Sequence, residues 1–181
     1  MKVFLKSPSV RELYYRQNWM NDPDTMNYNA GYDIDLKGYN KVNGTINKSV
    51  KEMEEWFNKW NNKEPEKYFA YIYVDEIVEP IGEIYYYLDD GTYNMGILIQ
   101  SKYRGKGYSY LALKELQKIA FEKNYISELS DMIPLDRVSA IKSFKKAGFI
   151  HTDKEEIGYV FGRKVVSKEL LITREMYFSN N

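Results

Sequence analysis

Apolar residues recur along this chain with two distinct periods, and the period changes mark out its elements. Val3, Phe4 and Leu5 make a short strand that ends at Ser7-Pro8. Ser9 and Glu12 then stand three apart ahead of Leu13 and Tyr14, a capping-box spacing that opens a helix. A second box, Ser49 with Glu52, opens a helix expected to run to about residue 63, with Met53, Trp56, Phe57 and Trp60 on one face. Residues 21–48 between them are rich in Asn, Tyr, Gly and Asp and longer than most connections, so they read as a functional lid or a disordered loop.

Residues 68–74, 80–88 and 92–99 carry the Tyr- and Ile-rich composition of strands, and Asp89-Asp90-Gly91 supplies the last turn, so the three form an antiparallel meander. Residues 100–109 are a polar, glycine-containing loop, and Leu113, Leu116, Ile119 and Ala120 then mark a helix. Residues 128–133 form another strand ended by Pro134, and a helix through Val138, Ile141 and Phe144 stops at Gly148. Residues from 149 onward return to strand, 160–165 look like a hairpin or long loop, and 170–178 make a last strand. The order β-α-α-β-β-β-α-β-α-β-β over residues 1–181 is one α+β domain: a mixed, mostly antiparallel sheet flanked by helices.

Composition removes several chemistries. With no Cys and a single His, His151, the chain lacks thiol nucleophiles, Cys-ligated zinc and multi-His metal sites, so no metal is expected. Lys+Arg and Asp+Glu balance at 26 each, which argues against nucleic acid as a partner. No apolar run reaches the ~20 residues a membrane span needs, and a cytoplasmic protein without membrane attachment is expected. Eighteen of the apolar residues are tyrosines, so rings with hydroxyls must supply much of the buried area.

The loop Tyr103-Arg104-Gly105-Lys106-Gly107-Tyr108-Ser109 ends a strand and opens a helix, a setting in which backbone N–H groups and the helix dipole favour an anion. A dinucleotide fingerprint fails at Tyr110, and a phosphate loop of Gly-Lys-Ser/Thr type fails because Gly107 follows Lys106. Arg104, Gly107 and Ser109 do fill a pyrophosphate pattern Arg/Gln-x-x-Gly-x-Gly/Ala, with Ser in the last position. This segment resembles the acetyl-CoA loop of the GNAT N-acetyltransferase superfamily. The element order and the helix ending in Gly148-Phe149 are similar to that family's, and residues 19–23 and Gly162-Arg163 resemble its branch acting on ribosomal N-termini, polyamines and aminoglycosides.

The resemblance implies a fold, an acetyl-CoA co-substrate and a set of site residues. Gly105, Lys106, Gly107, Tyr108 and Ser109 would hold the pyrophosphate, with Arg104 and Lys106 adding charge at its rim. Leu98 and Ile99 would offer backbone groups to the pantetheine arm and the thioester oxygen where two strands part. Phe144 occupies the position at which the family commonly has a proton-donating Tyr, and Arg137 the position of a CoA-contacting Asn. Asp131 and Glu83 are the candidate bases that would free an amine nucleophile; for each the competing reading is a strand carboxylate facing water or pairing with Lys. Asp22, Asp24, Asp33 and Asp35, with Tyr28 and Tyr32, suit a cationic acceptor or simply serve turns. The expected function is direct acetyl transfer to a primary amine of a small cationic acceptor, aminoglycoside-like or polyamine. Acetylation of a protein N-terminus and a non-catalytic acyl-CoA-binding module are the alternatives. Family members often form homodimers through their late strands, which the apolar content of residues 170–178 permits.

Overall fold

A computed structural model describes residues 2–179, which form a seven-stranded sheet in the order β1-β2-β3-β4-β5-β7-β6. The strands are β1 (Val3–Lys6), β2 (Lys67–Val74), β3 (Ile77–Asp89), β4 (Thr92–Ile99), β5 (Glu128–Pro134), β6 (Ile150–Val160) and β7 (Arg163–Thr173). Every neighbouring pair is antiparallel except β4 and β5. The helices are α1 (Leu13–Asn21), the single turn α2 (Pro23–Met26), α3 (Val50–Asn58), α4 (Tyr108–Lys118), α5 (Val138–Lys146) and α6 (Arg174–Ser179). No helix among the described residues is long and apolar enough to cross a membrane.

Both capping boxes form: the Glu12 carboxylate accepts from the Ser9 N–H at 2.8 Å, and that of Glu52 from the Ser49 N–H at 2.9 Å. Period-two alternation then sorts the meander's side chains onto two faces. Ile84, Tyr86, Met95 and Ile99 join Leu113 and Leu116 of α4 and Phe144 of α5 in the main core. Phe69, Tyr71 and Leu98 face the other way and meet Trp19 and Met26, with Trp56 and Trp60 against them.

Two expectations are corrected, and one of two alternatives falls away. Residues 170–178 are not one strand: β7 ends at Thr173 and α6 follows, its first turn held where the Thr173 hydroxyl accepts the Met176 N–H at 3.2 Å. Tyr177 then lies over Phe121, ring centroids 5.3 Å apart; a short apolar run does not reveal by periodicity whether strand or helix will bury it. The second helix closes at Asn58, short of residue 63, and Trp60 sits in the turn beyond. Residues 21–48 are folded rather than disordered, cross-tied by Gly31 N–H to Lys41 O (2.8 Å), Asn40 N–H to Thr45 O (2.8 Å) and Ile46 N–H to Met20 O (2.9 Å).

Candidate active site

The parallel pair β4–β5 holds together at one register point only, Asn94 opposite Ser130. Beyond it the strands part, and residues 96–99 of β4 lose their partner on that side while keeping β3. Gln100 N–H donates to Ile81 O at 2.9 Å. Antiparallel alternation therefore turns the backbone groups of Leu98 toward β3 and those of Ile97 and Ile99 toward the gap. The Ile99 carbonyl there accepts from Arg104 Nε at 3.0 Å. Of the two residues assigned from the motif, Ile99 reaches the gap through its backbone, whereas Leu98 contributes its side chain to the cavity described below. Ile97 is a site residue the sequence reading missed.

At the end of β4 the chain turns through Gly105 and Gly107, both in the left-handed region (φ 76° and 81°), into the N-terminus of α4. Only glycine adopts this region cheaply. A Cβ on either would meet nothing within 4 Å, so the space beside the loop is open. The first-turn N–H groups of α4 have no intrahelical acceptors and bring the positive end of the helix dipole to that space. The cradle fits a diphosphate. Tyr108 supplies its amide while its ring is buried, and the Ser109 hydroxyl donates to Ser143 Oγ of α5 at 3.0 Å.

Two assigned side chains point elsewhere. The Arg104 guanidinium donates to the carbonyls of Ile99, Asp24 (3.3 Å) and Thr25, tying the loop to α2 rather than standing at the rim. The loop is tied a second time by Ser101 N–H to Thr25 Oγ1 at 3.0 Å. Arg137, at the start of α5, donates to Tyr28 O at 2.6 Å and to the Tyr32 hydroxyl at 3.2 Å. The Tyr28 ring thus lies within 5.1 Å of Arg137 and 5.9 Å of Arg104. Phe144 is 2% exposed and packs edge-on against Phe149 at 4.8 Å, so its ring belongs to the core and presents almost no surface to the cleft.

On the opposite face, Met26, Tyr28, Asn29 and Ile46 help wall a partly open cavity of about 140 Å³ over the β3–β4 pair. Glu83, Arg16, Tyr28 and Tyr85 give it polar groups, and Met20, Met26, Ile46 and Leu98 give it apolar walls. Glu83 neither faces water nor pairs with Lys: its side chain is 5% exposed and its partner is Arg16 of α1, with Nε 2.9 Å from Oε2. The hydrogen bond from that nitrogen runs to Oε1 at 3.2 Å, which leaves Oε2 without one. Arg16 is itself stacked 3.9 Å above the Trp56 ring, so part of the aromatic stripe of α3 supports the site. Burial pushes the Glu83 carboxyl up, and the Arg16 charge and hydrogen bond pull it back.

Asp131 lies on β5 past the parting point, opposite Leu170 of β7. Burial pushes its carboxyl up to about 7 against the opposing effects of Arg137 and the Met132 N–H. Burial, reinforced by the nearby Glu83 charge, raises the Tyr28 phenol to about 12, and the same two causes raise the Tyr85 phenol. Two of the four loop carboxylates are engaged: Asp22 accepts from the Asp24 N–H at 3.2 Å and from the Thr25 hydroxyl, and Asp33 pairs with Lys41.

A family model described as Acetyltransferase (GNAT) domain matches residues 5–150. Among solved structures, the spermidine N-acetyltransferase of Vibrio cholerae in complex with CoA and spermine superposes with a TM-score of 0.78 at 15% identity, covering 98% of each chain. A GNAT-family acetyltransferase of Bacillus anthracis does so with a TM-score of 0.72 at 14% identity, over 97% of this chain and 96% of that one. No curated protein sequence matches.

Proposed function

This chain belongs to the GNAT acetyltransferase family, and on that premise we propose that it transfers the acetyl group of acetyl-CoA to a slender primary amine, such as one arm of a polyamine. The observation carrying this reading is the buried Glu83 carboxylate in a partly open cavity directly beside the parted strands. A partly open cavity of about 140 Å³ suits one linear aminoalkyl arm better than a whole aminoglycoside ring system. The walls supplied by Met26, Tyr28, Asn29 and Ile46 likewise favour a small amine over a peptide N-terminus, which needs a long open groove.

In this reading the diphosphate of acetyl-CoA rests on the amides of residues 105–109, and its thioester enters the gap between β4 and β5. The backbone N–H groups of Ile97 and Ile99 face that gap and supply donors for the carbonyl oxygen as it gains charge. The Glu83 carboxylate receives the ammonium group and takes its proton, with Arg16 pulling against the burial that raises this carboxyl. The neutral nitrogen attacks the thioester carbon, the C–S bond breaks, and an amide and CoA leave. Asp131, on the far strand of the gap, is the second carboxylate available for carrying the proton away.

The test is thiol release from acetyl-CoA with spermidine, linear diamines, aminoglycosides and short peptides, run beside Glu83→Gln. Turnover confined to the linear amines is expected. Glu83→Gln is expected to lower kcat/KM for the amine by about 100-fold, the range of a lost general base, with KM for acetyl-CoA unchanged. Acetyl-CoA binding without turnover of any amine would favour the non-catalytic module instead.

A further inference from the structure

We propose that the Tyr85 hydroxyl is the proton donor to the CoA thiolate, placed at the gap between β4 and β5 because Gly96 lets its ring lie across β4. This rests on the acetyl-transfer reading above and adds a catalytic group to it. Tyr85 and Gly96 are cross-strand partners. A Cβ on Gly96 would collide with the Tyr85 hydroxyl oxygen and stand 2.5 Å from Cζ, so the end of the ring occupies the place of the missing side chain. Gly96 is two residues past Asn94, the last β4 residue paired with β5. A ring that starts on β3 and crosses β4 at this point delivers its hydroxyl to the gap.

Three features fit a donor. The ring is fixed, held edge-on by Trp60 with centroids 5.3 Å apart. Its hydroxyl hydrogen-bonds to no described residue, leaving the proton free for a bound molecule. Burial and the nearby Glu83 charge keep it a phenol rather than a phenolate across the working pH range. Apolar surroundings raise a thiolate's basicity, which makes a fixed donor effective.

The proton count closes. An ammonium group that becomes an amide sheds two protons: Glu83 takes the first before attack, and Asp131 takes the second as the C–N bond forms and passes it to water. As the C–S bond breaks, sulfur takes the Tyr85 proton and leaves as the thiol. The resulting tyrosinate recovers a proton from the Glu83 carboxylic acid, two residues away on the same face of β3, and both groups return to their starting forms.

Tyr85→Phe keeps the ring over Gly96 and removes only the donor. It is expected to lower kcat by about 10- to 100-fold, the low end for general acid catalysis because a thiolate leaves readily, with KM for acetyl-CoA and for the amine within twofold. Tyr87→Phe, one step further along the same face, is expected to leave kcat unchanged. Gly96→Ala keeps the hydroxyl but pushes the ring aside, and is expected to cost about as much as Tyr85→Phe. The double variant is then no slower than either single one, since both remove the same proton. An unchanged kcat in Tyr85→Phe, a loss confined to KM, or additive losses in the double variant would overturn the proposal. Should Tyr85→Phe not fold, an unchanged kcat in Gly96→Ala overturns it alone. A parent protein inactive on every amine overturns the acetyl-transfer reading and this proposal with it, whereas an active parent with an indifferent Tyr85 removes only the latter.

Discussion

Arg16→Met removes the one cation that compensates the buried Glu83 and leaves a side chain of similar length among Met20, Met53 and Trp56. The two charged groups are 13% and 5% exposed, so solvent does little for the carboxylate once the guanidinium is gone. Breaking a buried pair from one side costs about 3–5 kcal/mol. At about 2–4 °C per kcal/mol for a domain of this size, the melting temperature at pH 8 falls by about 6–20 °C. The pH dependence has an unusual sign for a carboxylate. Burial already holds the folded pKa of Glu83 above its ordinary value, so the folded state binds the proton more tightly than the unfolded one. The contribution of Glu83 to stability is then fully present at low pH and is lost as pH rises through its folded pKa. Without Arg16 that pKa moves higher, and the deficit of the variant is largest at pH 8 and shrinks toward pH 5. Thermal unfolding followed by circular dichroism at pH 5–8 measures this, and adding Glu83→Gln to Arg16→Met is expected to restore most of the loss at pH 8. A deficit below about 1 kcal/mol, or one that grows on acidification, would refute the compensation argument.

For Asp131, whose carboxyl stands at about 7, kcat/KM for the amine is expected to rise with pH through neutrality as the carboxylate forms, and Asp131→Asn to flatten that limb; a pH–rate profile checks both. Gly107→Ala meets no neighbour within 4 Å, so its cost is the left-handed backbone alone, about 1–2 kcal/mol in thermal unfolding. Gly107→Asp adds a negative charge to the cradle and is expected to weaken acetyl-CoA binding by at least about tenfold by calorimetry, equivalent to about 1.4 kcal/mol. Phe144→Tyr places a hydroxyl in a core site that is 2% exposed, so it is expected to cost about 1–3 kcal/mol of stability and to leave kcat no higher. A faster Phe144→Tyr enzyme would show that the ring does reach the leaving sulfur.

Local rules made much of this protein readable from its residues. The two capping boxes, the meander over residues 68–99, the Gly105–Gly107 turn into a helix and the Gly148 stop depend on neighbours a few positions apart, and the structure has each of them. The acetyltransferase family was legible for the same reason, since an anion cradle is built from one continuous loop and the helix behind it. What the sequence left open concerns partners distant along the chain. Arg16 meets Glu83 across 67 positions, and nothing near either residue announces the other. Arg104 and Arg137 carry the charge expected of a cofactor loop, yet their guanidinium groups reach carbonyls about 80 and 109 positions away. The parting of β4 from β5 follows from how two whole strands pack, and the lone Asn94–Ser130 register point has no local signature. Among 18 tyrosines, composition could say only that hydroxyls would be plentiful. Which of them faces the gap was decided by a glycine on the neighbouring strand, because a hydroxyl is placed by the packing of its ring and not by the residues beside it in sequence.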